Sequence, residues 1–357
     1  MTTNAATTSI SLRFNRTTVV LTTLAASVVV LTLLGLALGP VRVPLLDTAR
    51  VLVGAQASDP RWQVIVHSMR LPRVLTAIAA GAGLGVAGLQ MQTLFRNTLA
   101  DPYVLGVSSG AGLGVGVVVI ATGSGAGFTA GLAGGGRAGV AVAAAVGAAT
   151  VLAIVLTLAR WVRSAASLLL IGVMVGAAGT AVVSVLLVYA DPQRIQQYLL
   201  WGLGSFAGTS WPDLRLLLPV VAVGMTAAAL TVRALNAQLL GESYARTMGI
   251  DVRRARLITV VSASLLTGVT TAFCGPIAFL GLAVPHLGRL ALGTSDHRAV
   301  LPATVLMGSA VALVCGIVSQ VPGSDAVLPV NALTALVGAP IVVLVLLRSR
   351  HGVGMQR

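Results

Sequence analysis

The chain has 357 residues, of which 56% are hydrophobic, only 9% are charged and 41 are glycine; its mean hydropathy is +0.96. So little polar material cannot cover the surface of an ordinary water-soluble fold, which excludes that class. All 23 basic residues are arginine, set against nine acids for a net charge of +14; they lie in short stretches between apolar runs, as membrane-orientation signals do, and nucleic acid is not an expected partner.

An α-helix needs roughly 20 apolar residues to cross a bilayer and satisfies its own backbone there. Ten such segments are predicted, near 18–39, 70–91, 103–122, 138–159, 166–190, 212–232, 255–274, 277–291, 300–320 and 328–347. The segment 277–291 is the shortest and contains Pro285, His286 and Arg289. The expected fold class is all-α, a polytopic membrane protein with a single transmembrane domain over 18–347 between tails 1–17 and 348–357. With the N-terminus in the cytoplasm, 15 arginines fall inside and 8 outside, so both termini are expected to be cytoplasmic. The first apolar run exceeds the ~7–15 residues of a secretory signal core, so it should remain as the first span.

In chain order, Arg70 and Arg73 begin the second span on its external side. Two arginines in a helix's first turn oppose the dipole, so something outside the chain is expected to compensate them. "RNTLADP" at 96–102 places a charge, an amide and an Asp-Pro between apolar runs, an ordered turn. "GLQMQTLF" and "RIQQYLLWGLGSF" offer Gln90, Met91, Gln92, Gln196, Gln197, Tyr198, Trp201 and Ser205 as candidates to face a translocation path, without an acidic cluster. Between the sixth and seventh spans, "LLGESYARTMGI" reads as a short amphipathic helix over 239–249. Leu240, Tyr244 and Met248 form its stripe, Glu242 and Arg246 an i, i+4 pair, and Gly241 and Gly249 its bounds. "GPIAFLGLAVPH" at 275–286 combines Gly-Pro with a second proline, so a bent or shortened helix is expected, its freed backbone groups met by neighbouring protein. Cys274, Cys315 and His286 read as packing residues; no metal site is expected.

No lysine is present, so the chain cannot carry a phosphate-binding P-loop, and no catalytic residue is expected. Every acid lies in a loop or at a span end, which argues against an ion-coupled secondary transporter, whose coupling needs an ionisable group near the midplane. A purely structural membrane scaffold is the third class considered.

The 239–249 segment resembles the coupling loop of the FecCD family, permease subunits of ATP-binding-cassette (ABC) importers for iron-siderophore, haem and cobalamin complexes. The family pattern L-G-x-x-x-A-x-x-L-G is met by Leu240, Gly241, Ala245, Met248 and Gly249, with Met for the usual Leu. The run at Gly88, Gln92, Arg96, Asn97, Leu99, Ala100, Asp101 and Pro102, together with "RLPRVL", "WGLGSF", "GPIAFLGLAVPHLGRLALGTSDHR" and "LPVNALTALVGAP", extends the resemblance along the chain. It implies a type II ABC importer permease in the bacterial cytoplasmic membrane, with no cofactor of its own. It further implies two ATPase subunits that bind ATP and magnesium, an extracytoplasmic substrate-binding protein, and a second permease chain, by preference an identical one. Leu240, Gly241, Glu242, Tyr244, Ala245, Arg246, Met248 and Gly249 would meet the ATPase, Arg70 and Arg73 would dock the binding protein, and lipid would surround the bundle. The cargo implied is a metal chelate, a ferric siderophore first and haem or cobalamin second. Gly316 and Gln320 stand where the family carries Asp and Arg, Thr98 where it carries proline, and Asn331 where it carries glycine.

Overall fold

The computed structural model describes residues 3–41, 43–121, 136–159, 161, 164–320 and 327–353. Fifteen α-helices are described in chain order: α1 (Thr3–Ala37), α2 (Leu45–Leu52), α3 (Pro60–Val64), α4 (Leu71–Leu94), α5 (Val107–Ala121), α6 (Gly136–Ala159), α7 (Ala165–Val188), α8 (Pro192–Gly202), α9 (Trp211–Leu230), α10 (Val232–Leu239), α11 (Glu242–Thr247), α12 (Val252–Cys274), α13 (Leu280–Leu292), α14 (His297–Val318) and α15 (Val330–Val353). Among the described residues the β structure is one isolated bridge between Gln320 and Val327. Among the described residues seven helices are long and apolar enough to span a membrane, and apolar stretches at Val107–Val119, Leu280–Leu292 and Val330–Val343 are shorter. Together they match the ten expected segments. The residues 1–17 and 348–357 expected as tails are largely helical where described, continuing α1 and α15.

A single helical stretch of 35 residues, Pro60–Leu94, contains α3, a π-helical turn at Ile65–Arg70 and α4, so the second helix begins some ten residues before the expected start. Pro72 explains the wide turn: it has no N–H for the carbonyl one turn back, and its ring crowds that carbonyl, so the ladder loosens just ahead of it. α4 is made of small and apolar residues on every side, with no polar face to turn outward, and it lies at the centre of the bundle with 89% of its most apolar window buried.

Packing around α4 is set by glycine. A Cβ added at Gly88 would lie 1.7 Å from the Gly281 carbonyl oxygen, and one at Gly81 would lie 2.2 Å from that of Gly308. α13 and α14 therefore touch α4 backbone to backbone, the close approach that supplies van der Waals contact lipid cannot replace. Small residues at Gly110, Gly114, Ala143 and Gly147 bring α5 and α6 together in the same way.

Two stretches of irregular backbone enter the bundle, 203–210 and 275–279, and their polar groups are met by protein. Ser205 N–H donates to the Cys274 carbonyl at 2.8 Å and Val330 N–H to that of Gly204 at 3.2 Å. Ile277 N–H donates to the Tyr103 hydroxyl at 2.9 Å, and Ala278 N–H to Asn331 Oδ1 at 3.0 Å. Irregular backbone survives at membrane depth only where such partners exist. Asn331 thus uses its amide oxygen on the shortened α13, a contact glycine could not make.

Candidate functional site

The segment expected as one helix over 239–249 is two helices with a break. α10 ends at Leu239, Gly241 takes φ +117°, and α11 covers only Glu242–Thr247. Gly249 follows with φ +77°, the left-handed region that ends a helix and that side chains with a Cβ resist. Leu240 precedes α11 rather than lying on it. Leu240, Tyr244 and Met248 are nonetheless 66%, 48% and 59% exposed, while Ala245 is fully buried. The buried side sits with Ala237, Val252 and Ile250 in a small cluster of its own. Tyr244 on the six-residue helix and Leu240 and Met248 on either side of it are therefore presented outward.

Glu242 lies 2.5 Å from the Arg256 guanidinium and 3.8 Å from that of Arg246. The expected i, i+4 pair is the longer of the two, because α12 brings Arg256 beside the first turn of α11. Arg246 is 69% exposed and Arg256 only 16% exposed, so the closer ion pair is also the better shielded from water.

α10 is tied in by a compact polar network. His297 N–H donates to Asn236 Oδ1 at 2.8 Å, which fixes which way the amide points; His297 Nδ1, 2.7 Å from the same oxygen, must then carry a proton and donate to it. Asn236 Nδ2 donates to Asp296 Oδ1 at 2.6 Å, and the Arg298 N–H reaches the same oxygen at 2.9 Å. Burial raises the Asp296 carboxyl, but these hydrogen bonds and the nearby Arg298 charge outweigh it and hold the group below the usual carboxylate range. On its far side His297 Nε2 lies 2.8 Å from the Thr93 hydroxyl in the last turn of α4. His297 is 1% exposed.

The expected path residues separate into two groups. Gln90, Met91 and Gln92 are buried inside the chain, which corrects their assignment to a path wall. Gln90 Oε1 accepts from the Ser262 hydroxyl at 3.1 Å, Gln92 Nε2 donates to the Leu282 carbonyl at 3.0 Å, and Arg289 donates to Gln92 Oε1. They join the central helix to α12 and α13. Gln197, Trp201 and Ser205, by contrast, line a cavity of about 550 Å³ together with Thr209, Asp213 and Phe273. The indole N–H of Trp201 is buried there without a partner among the described residues. Asp213 accepts from the Ser210 N–H and hydroxyl at 2.8 and 2.7 Å, both through Oδ2; it is the one carboxylate in a lining otherwise made of neutral donors, acceptors and apolar groups. The Tyr198 ring lies 6.0 Å from that of Trp201 at a 41° tilt, and its hydroxyl packs over Gly112 on α5; Gln196 is exposed and outside the cavity wall.

Arg70 and Arg73 are 4% and 8% exposed. Arg70 donates to the carbonyls of Leu36 and Ala37 at 2.7 Å each and to that of Val41. The compensation expected from outside is supplied within the chain, by the orphan carbonyls at the C-terminal end of α1. Arg73 and Gly316 share the wall of a cleft of only about 10 Å³, and a Cβ at Gly316 would already lie 3.3 Å from the Phe206 ring, so this position is filled by apolar packing rather than by a partner for the guanidinium. On the same face, Asp47 accepts from the Ser58 hydroxyl at 2.7 Å and its N–H at 3.0 Å, which hold its carboxyl below the ordinary range. Sequence reasoning missed the Asn236–His297 network. Its signal, "TSDHR", was on the page, but nothing in the spacing placed Asn236 sixty residues away beside it.

The FecCD transport family matches residues 27–348. The chain is 36% identical to the hemin transport system permease protein HmuU of Yersinia pestis over 88% of its length and 93% of that protein. It is 34% identical to the vitamin B12 import system permease protein BtuC of Citrobacter koseri over 82% of its length and 85% of that protein. In architecture it is similar to a metal-chelate type ABC transporter solved in an inward-facing conformation, with TM-score 0.78, 28% identity, and coverage of 92% of this chain and 98% of that one. A family model spanning almost all of the membrane helices, and relatives aligned over more than four fifths of both chains, leave one assignment: the chain belongs to the FecCD transport family.

Proposed function

We propose that this chain is the membrane-spanning permease of an ATP-driven importer that moves a metal chelate by alternating access. Family membership carries the transport class, and the observation that carries the mechanism is α11, a short helix with Leu240, Tyr244 and Met248 turned outward. Apolar anchors on a helix face are what helix-in-groove contacts require, so we assign this surface to a separate ATPase. The chain has no lysine and hence no P-loop; nucleotide and magnesium belong to that partner. We place α11 and both termini in the cytoplasm, following the arginine distribution. A substrate-binding protein would then dock on the opposite face, where Arg50 and Arg61 are exposed. With Arg70 and Arg73 buried, we read them as holding that face together beneath the docking surface. A second copy of the chain completes the proposed assembly and shares the path.

For the cargo, the 550 Å³ cavity offers Gln197, Ser205, Thr209 and the free Trp201 N–H. Such a lining suits a large neutral or anionic chelate better than a bare cation, which would want carboxylates or thiolates. Ferric siderophore, haem and cobalamin are the chelates to compare, the last two because the named relatives carry hemin and vitamin B12. The test is purification of the chain with its ATPase and binding protein, followed by ATP-dependent uptake of each labelled chelate into proteoliposomes. Uptake of one chelate with ATP and none without it is expected. Uptake that follows an ion gradient and ignores ATP would overturn the reading.

A further inference from the structure

The exposed helix α11 cannot act alone. It is six residues long and set off by Gly241 at φ +117° and Gly249 at φ +77°, so a push on it dissipates in its flanking glycines unless the base of the segment is anchored to the helices that must move. Two anchors exist. One is the Glu242–Arg256 pair to α12. The other is Asn236, one turn before the end of α10, which closes off the N-terminus of α14 by accepting from the His297 N–H and ring and donating to Asp296. Through its other ring nitrogen His297 meets Thr93 at the end of α4. One turn of α10 is thereby pinned to the two helices that touch backbone to backbone at Gly81 and Gly308.

We propose that Asn236 and His297 are positioning residues for energy coupling: they pass displacement of the α10–α11 segment directly to α14 and to the central helix α4, bypassing α12. The proposal rests on the reading of α11 as the ATPase contact. Its physical basis is rigidity. A side chain that makes three hydrogen bonds at 2.6–2.8 Å to two consecutive residues of another helix cannot slide along it without breaking all three and leaving the buried His297 ring nitrogen without its acceptor. The two helices move together or the network breaks. Neither residue touches the cavity wall, so its loss should alter how hydrolysis is used rather than which cargo is accepted.

The test uses the complete complex in proteoliposomes, with ATP hydrolysis, uptake and thermal unfolding measured on the same preparations. Asn236→Ala should retain the ATPase and its hydrolysis while uptake per ATP falls at least about fivefold, the lower end of a typical coupling energy. Asn236→Asp should fall likewise, since it sets two carboxylates where 2.6 Å now separates an amide from Asp296. The double exchange Asn236→Asp with Asp296→Asn rebuilds the pattern in reverse, with the amide at 296 donating to the carboxylate at 236, and should bring uptake per ATP back to within about twofold of wild type if the bond pattern carries the coupling. An unchanged ratio in Asn236→Ala would overturn the proposal. So would a parallel loss of hydrolysis, uptake and thermal stability that the exchange does not rescue, because that is the signature of a fold contact. If the unaltered chain retains no ATPase, the reading of α11 fails first, and that is seen before any variant is made.

Discussion

α4 and the turn around α11 both carry large apolar side chains, yet those side chains have opposite fates. α4 buries nearly all of its surface against its own chain, touching α13 and α14 through glycines that leave no room for a methyl group. α11 buries only Ala245, and with its flanking residues it turns Leu240, Tyr244 and Met248 out. In α4 the apolar surface is spent on folding, and substitutions there should be read in stability. In α11 it is left for a partner, and substitutions there should be read in assembly and transport, with the isolated chain indifferent to them.

The strongest way to sharpen the contrast is Gly88→Val. With the Gly281 carbonyl 1.7 Å from the added Cβ, the backbones must part, and since ordinary overpacking already costs about 1–3 kcal/mol, loss of folded protein in a detergent-solubilised thermal assay is expected. Next comes Arg70→Met, which strips the carbonyls of Leu36, Ala37 and Val41 of their donor. A destabilisation of about 2–3 kcal/mol is expected, measured as a lowered Tm, because buried acceptors are left unmet. For the same reason charge reversal at Arg70 would report on folding before it reported on docking.

Tyr244→Asp should leave Tm unchanged and weaken ATPase retention by about 2 kcal/mol, roughly thirtyfold, the loss expected at an interface anchor. Wild-type retention in that variant would break the comparison, making α11 an ordinary surface turn. Gly249→Val has open space around its Cβ, so any cost is conformational; about 1–2 kcal/mol of strain at φ +77° should appear as reduced uptake with the bundle intact. The smallest effect belongs to Glu242→Gln. A half-exposed ion pair is worth about 0.5 kcal/mol, so a modest drop in coupled uptake is expected, and Arg256→Gln should reproduce it more closely than Arg246→Gln.

The hydrophobic runs made ten membrane helices legible, because a span of sufficient length and apolarity has few alternatives in lipid. The break at "GPIAFLGLAVPH" and the turn at "RNTLADP" were legible too: Pro and Gly act on the backbone wherever they stand, and Asn97 Oδ1 does accept the Leu99 N–H at 2.9 Å as such a turn requires. The positive φ of Gly249 and the outward Leu240, Tyr244 and Met248 could be read from spacing. Gln90, Met91 and Gln92 could not. In a chain this apolar a glutamine reads as a path residue, but it serves equally well as a bolt between helices, and only the neighbours Ser262, Leu282 and Arg289 decide between the two.

By itself the sequence determined the solvent, the number of spans and several of the places where Gly and Pro interrupt a helix. All of these follow from local composition and from backbone chemistry that acts within a few residues. The tertiary structure decided which polar groups meet: Arg70 with the end of α1, Glu242 with Arg256, Asn236 with His297, and His297 with Thr93. Those partners lie 14 to 204 residues apart, and in a bundle packed through glycine a shift of one helix by a single methyl's width would exchange them. Distance along the chain carries no record of that geometry, which is why the charges could be found in the sequence while their uses could not.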